Sequence, residues 1–265
     1  DGSKIRYYRF DESNVKEYSI AKYEDNLYPF NYSYKYPKAG EENSKVDIYV
    51  YNVNAGSKQK INLGNDYEYI PRIKWTNNSN LLSIQRMNRL QNKLDLLFAD
   101  VVTGNVQTII NENSATYIEI SDNLTFLPNG TEFIWSNEND GYNHLYLYNM
   151  SGKLINQITK GNWDVINFYG YDDKTKNIFY TSSVLSPANQ TLFSCKLNGS
   201  NVKQLFNTKG TDLAEFNSIF SYYILNHSDA NTPPVTLLCT ADGKTVRTLE
   251  NNSALAEKMK TYSLT

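Results

Sequence analysis

The chain has 265 residues, with 26 basic and 28 acidic side chains, a net charge of −2 and 22 tyrosines. That length fits one large β domain or two smaller domains. The basic residues form no stripe, which argues against nucleic acid or an anionic membrane surface as partner, and no apolar run is long enough to span a bilayer as a helix.

In chain order, the first strand-like run is IRYYRF, from Ile5 to Phe10. Residues 17–44 follow it, rich in Tyr and Pro and poor in aliphatic side chains. A segment of that composition is either a flexible loop or an arm that packs on another surface. The tyrosines favour the arm, because Tyr is enriched at interfaces. DIYVYNVNAG then ends at Gly56, DLLFADVVTG at Gly104, NHLYLYNMSG at Gly152, QTLFSCKLNG at Gly199 and PVTLLCTADG at Gly243, spacings of 48, 48, 47 and 44 residues. After each Gly comes an apolar residue: Ile61, Ile109, Ile158, Leu205 and Leu249. Before each of these runs stands another: IRYYRF, LLSIQRM, EFIWSN, NIFYTSS and YYILNHS. YIPRIKW, TYIEIS and VINFYGY are further strand candidates that open units.

The Gly supplies the positive φ of a tight hairpin. Up to four strands per unit, repeated with a period in the forties, is the pattern of β-propeller blades. A β-sandwich has turn signals too, but no superperiod held over five units. The expected fold class is therefore all-β: a β-propeller fragment of about five four-stranded blades, the first incomplete at its start, with a short C-terminal helix. That helix lies in NNSALAEKMKTYSLT, with Ser253 as its cap and Leu255 and Met259 one turn apart on one face. The abrupt Asp1-Gly2 start suggests a piece of something larger.

Obvious active-site chemistry is scarce. There is no G-x-S-x-G elbow. His144 sits in the strand HLYLYN, where a hydrogen bond between strands is its expected role, and His227 falls in NHSDANTPP, expected as an exposed loop. Neither has ligand partners at a metal-binding spacing, so no metal and no cofactor are expected. Cys195 and Cys239 lie in apolar runs and read as buried thiols, with a disulfide left open. NENDG, residues 137–141, is expected as a hairpin turn rather than a calcium loop, since the closing acidic ligand is absent. The adjacent acids Glu24-Asp25 and Glu41-Glu42 read as solvated loop residues.

YRFDESNVKEY, YPKAGEENSKV, DGYNHLYLYN, ITKGNWDVINF and LENNSALAEKMK occur in this order. Together they resemble the N-terminal β-propeller domain of the dipeptidyl peptidase IV family, whose bacterial members include prolyl tripeptidyl peptidase. The resemblance covers Ile5 to about Lys260, and the Asn- and Tyr-rich composition resembles versions from Bacteroides-type bacteria more than the animal ones.

The resemblance implies a serine exopeptidase that removes dipeptides or tripeptides from peptide N-termini after Pro or Ala. An eight-bladed propeller is joined to an α/β-hydrolase domain that carries the whole catalytic triad. On that pattern residues 1–250 are a partial propeller with the arm inserted at about 17–44, and residues 251–265 are a linker helix leading to the hydrolase domain. The chain then holds no catalytic residue and is not an enzyme alone. The family's paired amine-gripping glutamates precede residue 1, and Glu41-Glu42 do not match them. The resemblance also implies a homodimer arm, here carried by Tyr28, Pro29, Tyr32, Tyr34, Tyr36 and Pro37. TYIEIS falls near the outer substrate subsites, with Tyr117 and Glu119 as lining candidates, although a core aromatic is the plainer reading of Tyr117. The implied partners are peptide substrates, a second copy and the chain's own hydrolase domain, and the implied compartment of the parent is the periplasm. The alternative is a stand-alone propeller used as a protein-interaction platform, which fold alone does not distinguish.

Overall fold

A computed structural model describes residues 2–262. The three residues 263–265, the last of the expected linker, lie outside the described residues. Backbone packing divides the chain into two compact units, one up to Ile120 and the other from Ser121.

The first unit opens with β1 (Lys4–Asp11). The insertion follows as a hairpin of its own, β2 (Glu17–Lys22) and β3 (Phe30–Lys35), and then come β4 (Lys45–Asn52) and β5 (Ser57–Lys60). β1, β4 and β5 form one three-stranded antiparallel sheet, the first blade. The second blade is the meander β6 (Tyr69–Trp75), β7 (Leu81–Met87), β8 (Lys93–Asp100) and β9 (Val106–Asn113). Ile48, Val50, Ile61 and Leu63 of the first blade form one core with Ile70, Leu82, Ile84, Leu97 and Ala99 of the second.

The second unit contains three complete blades. They are β10 (Thr125–Phe126) to β13 (Leu154–Gln157) through β11 (Glu132–Asn137) and β12 (His144–Asn149), then β14 (Val165–Asp172), β15 (Asn177–Ser182), β16 (Thr191–Lys196) and β17 (Lys203–Gln204), and finally β18 (Thr211–Phe216), β19 (Tyr222–Ser228), β20 (Val235–Thr240) and β21 (Thr245–Glu250). The helix α1 (Ser253–Met259) closes the described chain.

Blade four shows why these strands read as nearly continuous apolar runs. Ile178 and Tyr180 of β15 and Phe193 and Cys195 of β16 pack toward blade three, in a core with Leu145, Leu147 and Ile158. Their strand neighbours Phe179 and Leu192 point the other way, into a core with Tyr223, Leu225 and Cys239 of blade five. Successive side chains of a strand alternate between faces, so a strand covered on both faces needs apolar residues at both parities.

The recurrent Gly does more than turn the chain. Gly104, Gly199 and Gly243 have φ of 78°, 79° and 89°. A Cβ on Gly199 would lie 2.6 Å from the carbonyl oxygen of Ile158 in blade three, one on Gly243 2.6 Å from that of Leu205 in blade four, and one on Gly104 2.5 Å from that of Lys60 in blade one. The turns of blades two, four and five are thus seated on the outer strand of the blade before them. Polar contacts repeat beside these seats: Asn62 N–H donates to Gly104 O at 2.8 Å, Asn156 Nδ2 to Leu197 O at 2.9 Å and Lys203 Nζ to Asp242 O at 2.6 Å. Ile61, Ile158 and Leu205 sit at these seats and are buried.

Two expectations need correction, the TYIEIS strand and the Ser253 cap, and the apolar residues of the last strand and the helix are not buried. TYIEIS forms no strand; blade three opens instead with the short β10. Leu249 is 39 % exposed, because every residue of β21 faces solvent. Ser253 does not cap α1: the N-cap is Asn252, in the left-handed region at φ 47°, with no side-chain cap bond. Leu255 is exposed and Met259 half-buried, so the pair covers no buried face.

Candidate interaction surface

β2 and β3 pair as an isolated two-stranded ribbon, Tyr18 opposite Tyr34, Ile20 opposite Tyr32 and Lys22 opposite Phe30. Alternation gives the ribbon two unlike faces. One carries Glu17 opposite Lys35 and Ser19 opposite Ser33, whose hydroxyls are 2.6 Å apart. The other carries the aromatics. Tyr34 stands at the middle of a ladder, its ring centroid 6.2 Å from Tyr18, 5.7 Å from Tyr32 and 5.8 Å from Tyr36. Lys22 Nζ lies 4.2 Å over the Tyr32 ring and Lys38 Nζ 4.8 Å over Tyr18, each within cation–π range.

A two-stranded hairpin is at best marginal in water. This one is held at its base: Tyr36 N–H donates to Lys16 O at 3.0 Å, Lys35 Nζ to Val15 O at 2.8 Å, and Lys16 pairs with Glu41 at 2.8 Å. At its tip Leu27 and Tyr28 are 85 % and 79 % exposed. Of the residues expected to make the arm surface, Tyr28, Pro29, Tyr32 and Tyr36 are exposed, Tyr34 is half-buried by its neighbours, and Pro37 is half-buried at the base. The flexible-loop alternative does not describe this segment, which has its own ladder, register and anchors.

Below the arm lies a cavity of about 380 Å³. Phe10, Val15, Pro37, Ile70 and Met87 make its apolar lining, and Lys35 and Glu68 stand at its polar side. Glu68 is fixed by Asn43 Nδ2 at 2.6 Å and Arg89 Nη1 at 3.0 Å. Ile120 also lines this cavity. It adjoins Glu119, so the stretch expected to line substrate subsites ends at the base of the arm. Tyr117 and Glu119 are both exposed and flank the buried Ile118, whose N–H donates to Gln91 O at 2.9 Å. Tyr117 is therefore not a core aromatic.

The remaining chemistry-bearing residues serve packing. His144 is fully buried: its Nε2 donates to Gly161 O at 2.9 Å, and its Nδ1 is 3.0 Å from Thr159 Oγ1, which itself accepts Leu145 N–H at 2.9 Å. The Gly161 carbonyl can only accept, so that bond requires a proton on Nε2. Trp163 meets the His144 ring edge-on at 4.9 Å and stacks on Tyr180. The stretch TKGNWDV is thus a clamp between blades three and four. Both cysteines are buried and free, so no disulfide joins them. Burial pushes the Cys195 thiol up to about 12, against the lowering pull of a bond with Tyr180.

His227 overturns its expectation. It belongs to β19 and is buried, with Nδ1 2.7 Å from Asp212 Oδ1 on the neighbouring strand β18. Asp212 was not singled out in the sequence; recognising TDLAEF as a strand would have placed the two directly opposite each other in one hairpin. Arg86 and Asp95, paired at 2.8 Å between β7 and β8, were missed as well. Among the described residues no group of three or more His, Cys, Asp or Glu is arranged to hold a metal ion, and no helix is long and apolar enough to cross a membrane.

Residues 1–234 match the family model of the dipeptidyl peptidase IV (DPP IV) N-terminal region. The crystal structure of Porphyromonas gingivalis dipeptidyl peptidase 4 superposes with a TM-score of 0.91 at 37 % identity, covering 98 % of this chain and 37 % of that one. A putative dipeptidyl aminopeptidase IV from Bacteroides ovatus gives a TM-score of 0.84 at 26 % identity over 94 % of this chain and 38 % of its own. Among curated proteins, dipeptidyl peptidase 4 of Trichophyton equinum is 27 % identical over 100 % of this chain, and the rat protein named inactive dipeptidyl peptidase 10 is 26 % identical. The chain spans 36 % of the length of each of these two relatives.

Proposed function

Because the chain belongs to the family of dipeptidyl peptidase IV N-terminal regions, we propose that it is the non-catalytic propeller segment of a serine exopeptidase that removes Xaa-Pro or Xaa-Ala dipeptides from peptide N-termini. What supports this most is the P. gingivalis match, in which nearly the whole chain follows a little over a third of a dipeptidyl peptidase at a TM-score of 0.91. Catalysis then belongs to a hydrolase domain entered through residues 251–265. Residues 1–250 gate access to it as a partial propeller, with Tyr117 and Glu119 lining outer subsites. Both side chains are exposed and are held by the buried Ile118 between them.

The arm dimerises the enzyme through Tyr28, Pro29, Tyr32, Tyr34, Tyr36 and Pro37. An aromatic face left in solvent on an anchored ribbon suits a protein interface, where Tyr is enriched. The parent is exported, with the periplasm as its compartment.

The test is hydrolysis of an Xaa-Pro chromogenic amide by the intact gene product and by the 265-residue chain alone. We expect turnover by the first and none by the second. Turnover by the chain alone would refute the division of labour. An intact product that folds, binds peptide and never cleaves would make the propeller a binding platform instead.

A further inference from the structure

The cavity below the arm lies wholly within the first unit and draws its wall from two parts of it. Val15, Lys35 and Pro37 come from the base of the arm, and Phe10, Ile70 and Met87 from strands β1, β6 and β7. Its polar side holds three charged residues, Glu12, Lys35 and Glu68. The Lys35 ammonium is already engaged: it donates to Val15 O at 2.8 Å and lies 3.7 Å from Glu17. Glu68 takes its bonds from Asn43 and Arg89 on Oε1 alone, which leaves Oε2 open. Among the described residues Glu12 has no ion-pair partner. The cavity thus joins an apolar wall to carboxylate oxygens that nothing in the unit neutralises.

We propose that this cavity is a binding site for a small primary amine with a compact apolar body, and that its occupant fastens the arm to the blade. The volume of about 380 Å³ lies at the low end of the range of ligand sites, about 300–1,000 Å³, and suits one small molecule rather than a folded partner. The wall selects a hydrocarbon body, and the charge selects the head group. A neutral ligand would cover the Glu12 and Glu68 carboxylates without pairing them, at the expense of their hydration. An acid would add a like charge. An ammonium carries three donors and no acceptor, so one head group can serve both carboxylates. The link to the arm follows from the two-part wall. The arm is a two-stranded ribbon, marginal by itself, and its base is held by a few polar bonds. A molecule that touches both walls loses its site whenever the base opens, so its binding energy is added to the closed arm.

Titration of the intact gene product with cyclohexylmethylamine at pH 7, followed by calorimetry and by hydrogen–deuterium exchange at the Tyr36 amide, tests the site. That amide donates to Lys16 O at 3.0 Å at the base of the arm. At about ten times the dissociation constant its exchange should slow about tenfold, while amides of blades three to five stay unchanged. Cyclohexylmethanol and cyclohexanecarboxylate, which carry the same ring and no ammonium, should give no protection at the same concentration. Glu12→Gln changes an exposed side chain. It should weaken the amine about tenfold or more, the loss of one charge-assisted bond, and leave the unliganded exchange of Tyr36 as it was. Protection by the alcohol or the acid equal to that by the amine, or amine binding unchanged in Glu12→Gln, overturns the amine site. Binding that leaves Tyr36 exchange untouched overturns the fastening of the arm, and no binding at all overturns both.

Discussion

Replacing Gly199 by Ala separates two reasons for a Gly at the end of each unit. The residue has φ +79°, and forcing a side chain into that left-handed region costs about 1–2 kcal/mol. The added Cβ would also sit 2.6 Å from the Ile158 carbonyl oxygen, a backbone atom that cannot rotate away. The hairpin must then back off its seat, a strain comparable to overpacking a core, about 1–3 kcal/mol. The combined expectation is a loss of about 2–5 kcal/mol. Gly130→Ala is the control in the same unit: φ is +71°, but nothing lies within 4 Å of its Cβ, so only the conformational part applies. Urea unfolding reads the difference as a midpoint lower for Gly199→Ala by about 0.5–1.5 M, for m of about 2 kcal/mol/M. Equal midpoints would refute the seat between blades and leave the Gly as a turn residue only.

Other consequences are open to measurement. Burial holds the Cys195 thiol at about 12. Below pH ~8.5 folded and unfolded chains both keep that proton, and above it only the unfolded chain loses it. Stability should therefore fall as pH rises from about 9 toward 12, with Tyr180 and Tyr223, also raised by burial, adding to the loss; urea midpoints that stay level from pH 7 to 10.5 would contradict it. For the same reason both thiols should resist iodoacetamide at pH 8 until urea unfolds the chain. Arg86 joins Asp95 at 2.8 Å and also donates to Leu63 O of the first blade. Arg86→Met should cost about 2 kcal/mol, below the value for a fully buried pair because each side chain keeps some exposure, and a loss under 0.5 kcal/mol would show the pair to be idle. Tyr32→Ser with Tyr34→Ser should leave the far-UV spectrum and thermal midpoint nearly unchanged yet weaken self-association of the intact protein at least tenfold by sedimentation, hot-spot aromatics being worth about 2 kcal/mol or more each; an unchanged dissociation constant would remove the arm from the interface.

The superperiod was legible because one physical demand recurs: a residue of positive φ, small enough to seat against the previous blade. The buried strands β7, β11, β15 and β16 were legible too, since covering both faces writes a continuous apolar run. Short or half-exposed strands carry a weaker signal. TDLAEF, which forms β18, mixes acids with apolar residues because the Asp212 carboxylate accepts Leu192 N–H of blade four and Glu215 faces outward. With that strand hidden its partner is hidden too, and His227 reads as a loop residue beside the Asp- and Pro-rich NHSDANTPP turn. TYIEIS alternates like a strand, yet its backbone is committed elsewhere, with Ile118 bonded to the turn at Gln91. In the arm, composition indicated an interacting segment. Which tyrosines share a face follows only from the register, and that is set by pairing Tyr18 with Tyr34.

The hairpin arm leaves the blade that bears it undisturbed. The ladder from Lys4 opposite Asn52 to Asp11 opposite Lys45 runs without a shift, as if residues 12–44 were a single turn. Loop-closure entropy grows only logarithmically, so such an excursion costs about 2.5 kcal/mol more than a two-residue turn, and doubling it again costs only about 0.6. Sequence change in this segment is accordingly decoupled from the register of the blade. The blade acts as a socket, and related chains can exchange, lengthen or shed the plug, altering what the molecule touches while the sheet beneath keeps every pairing.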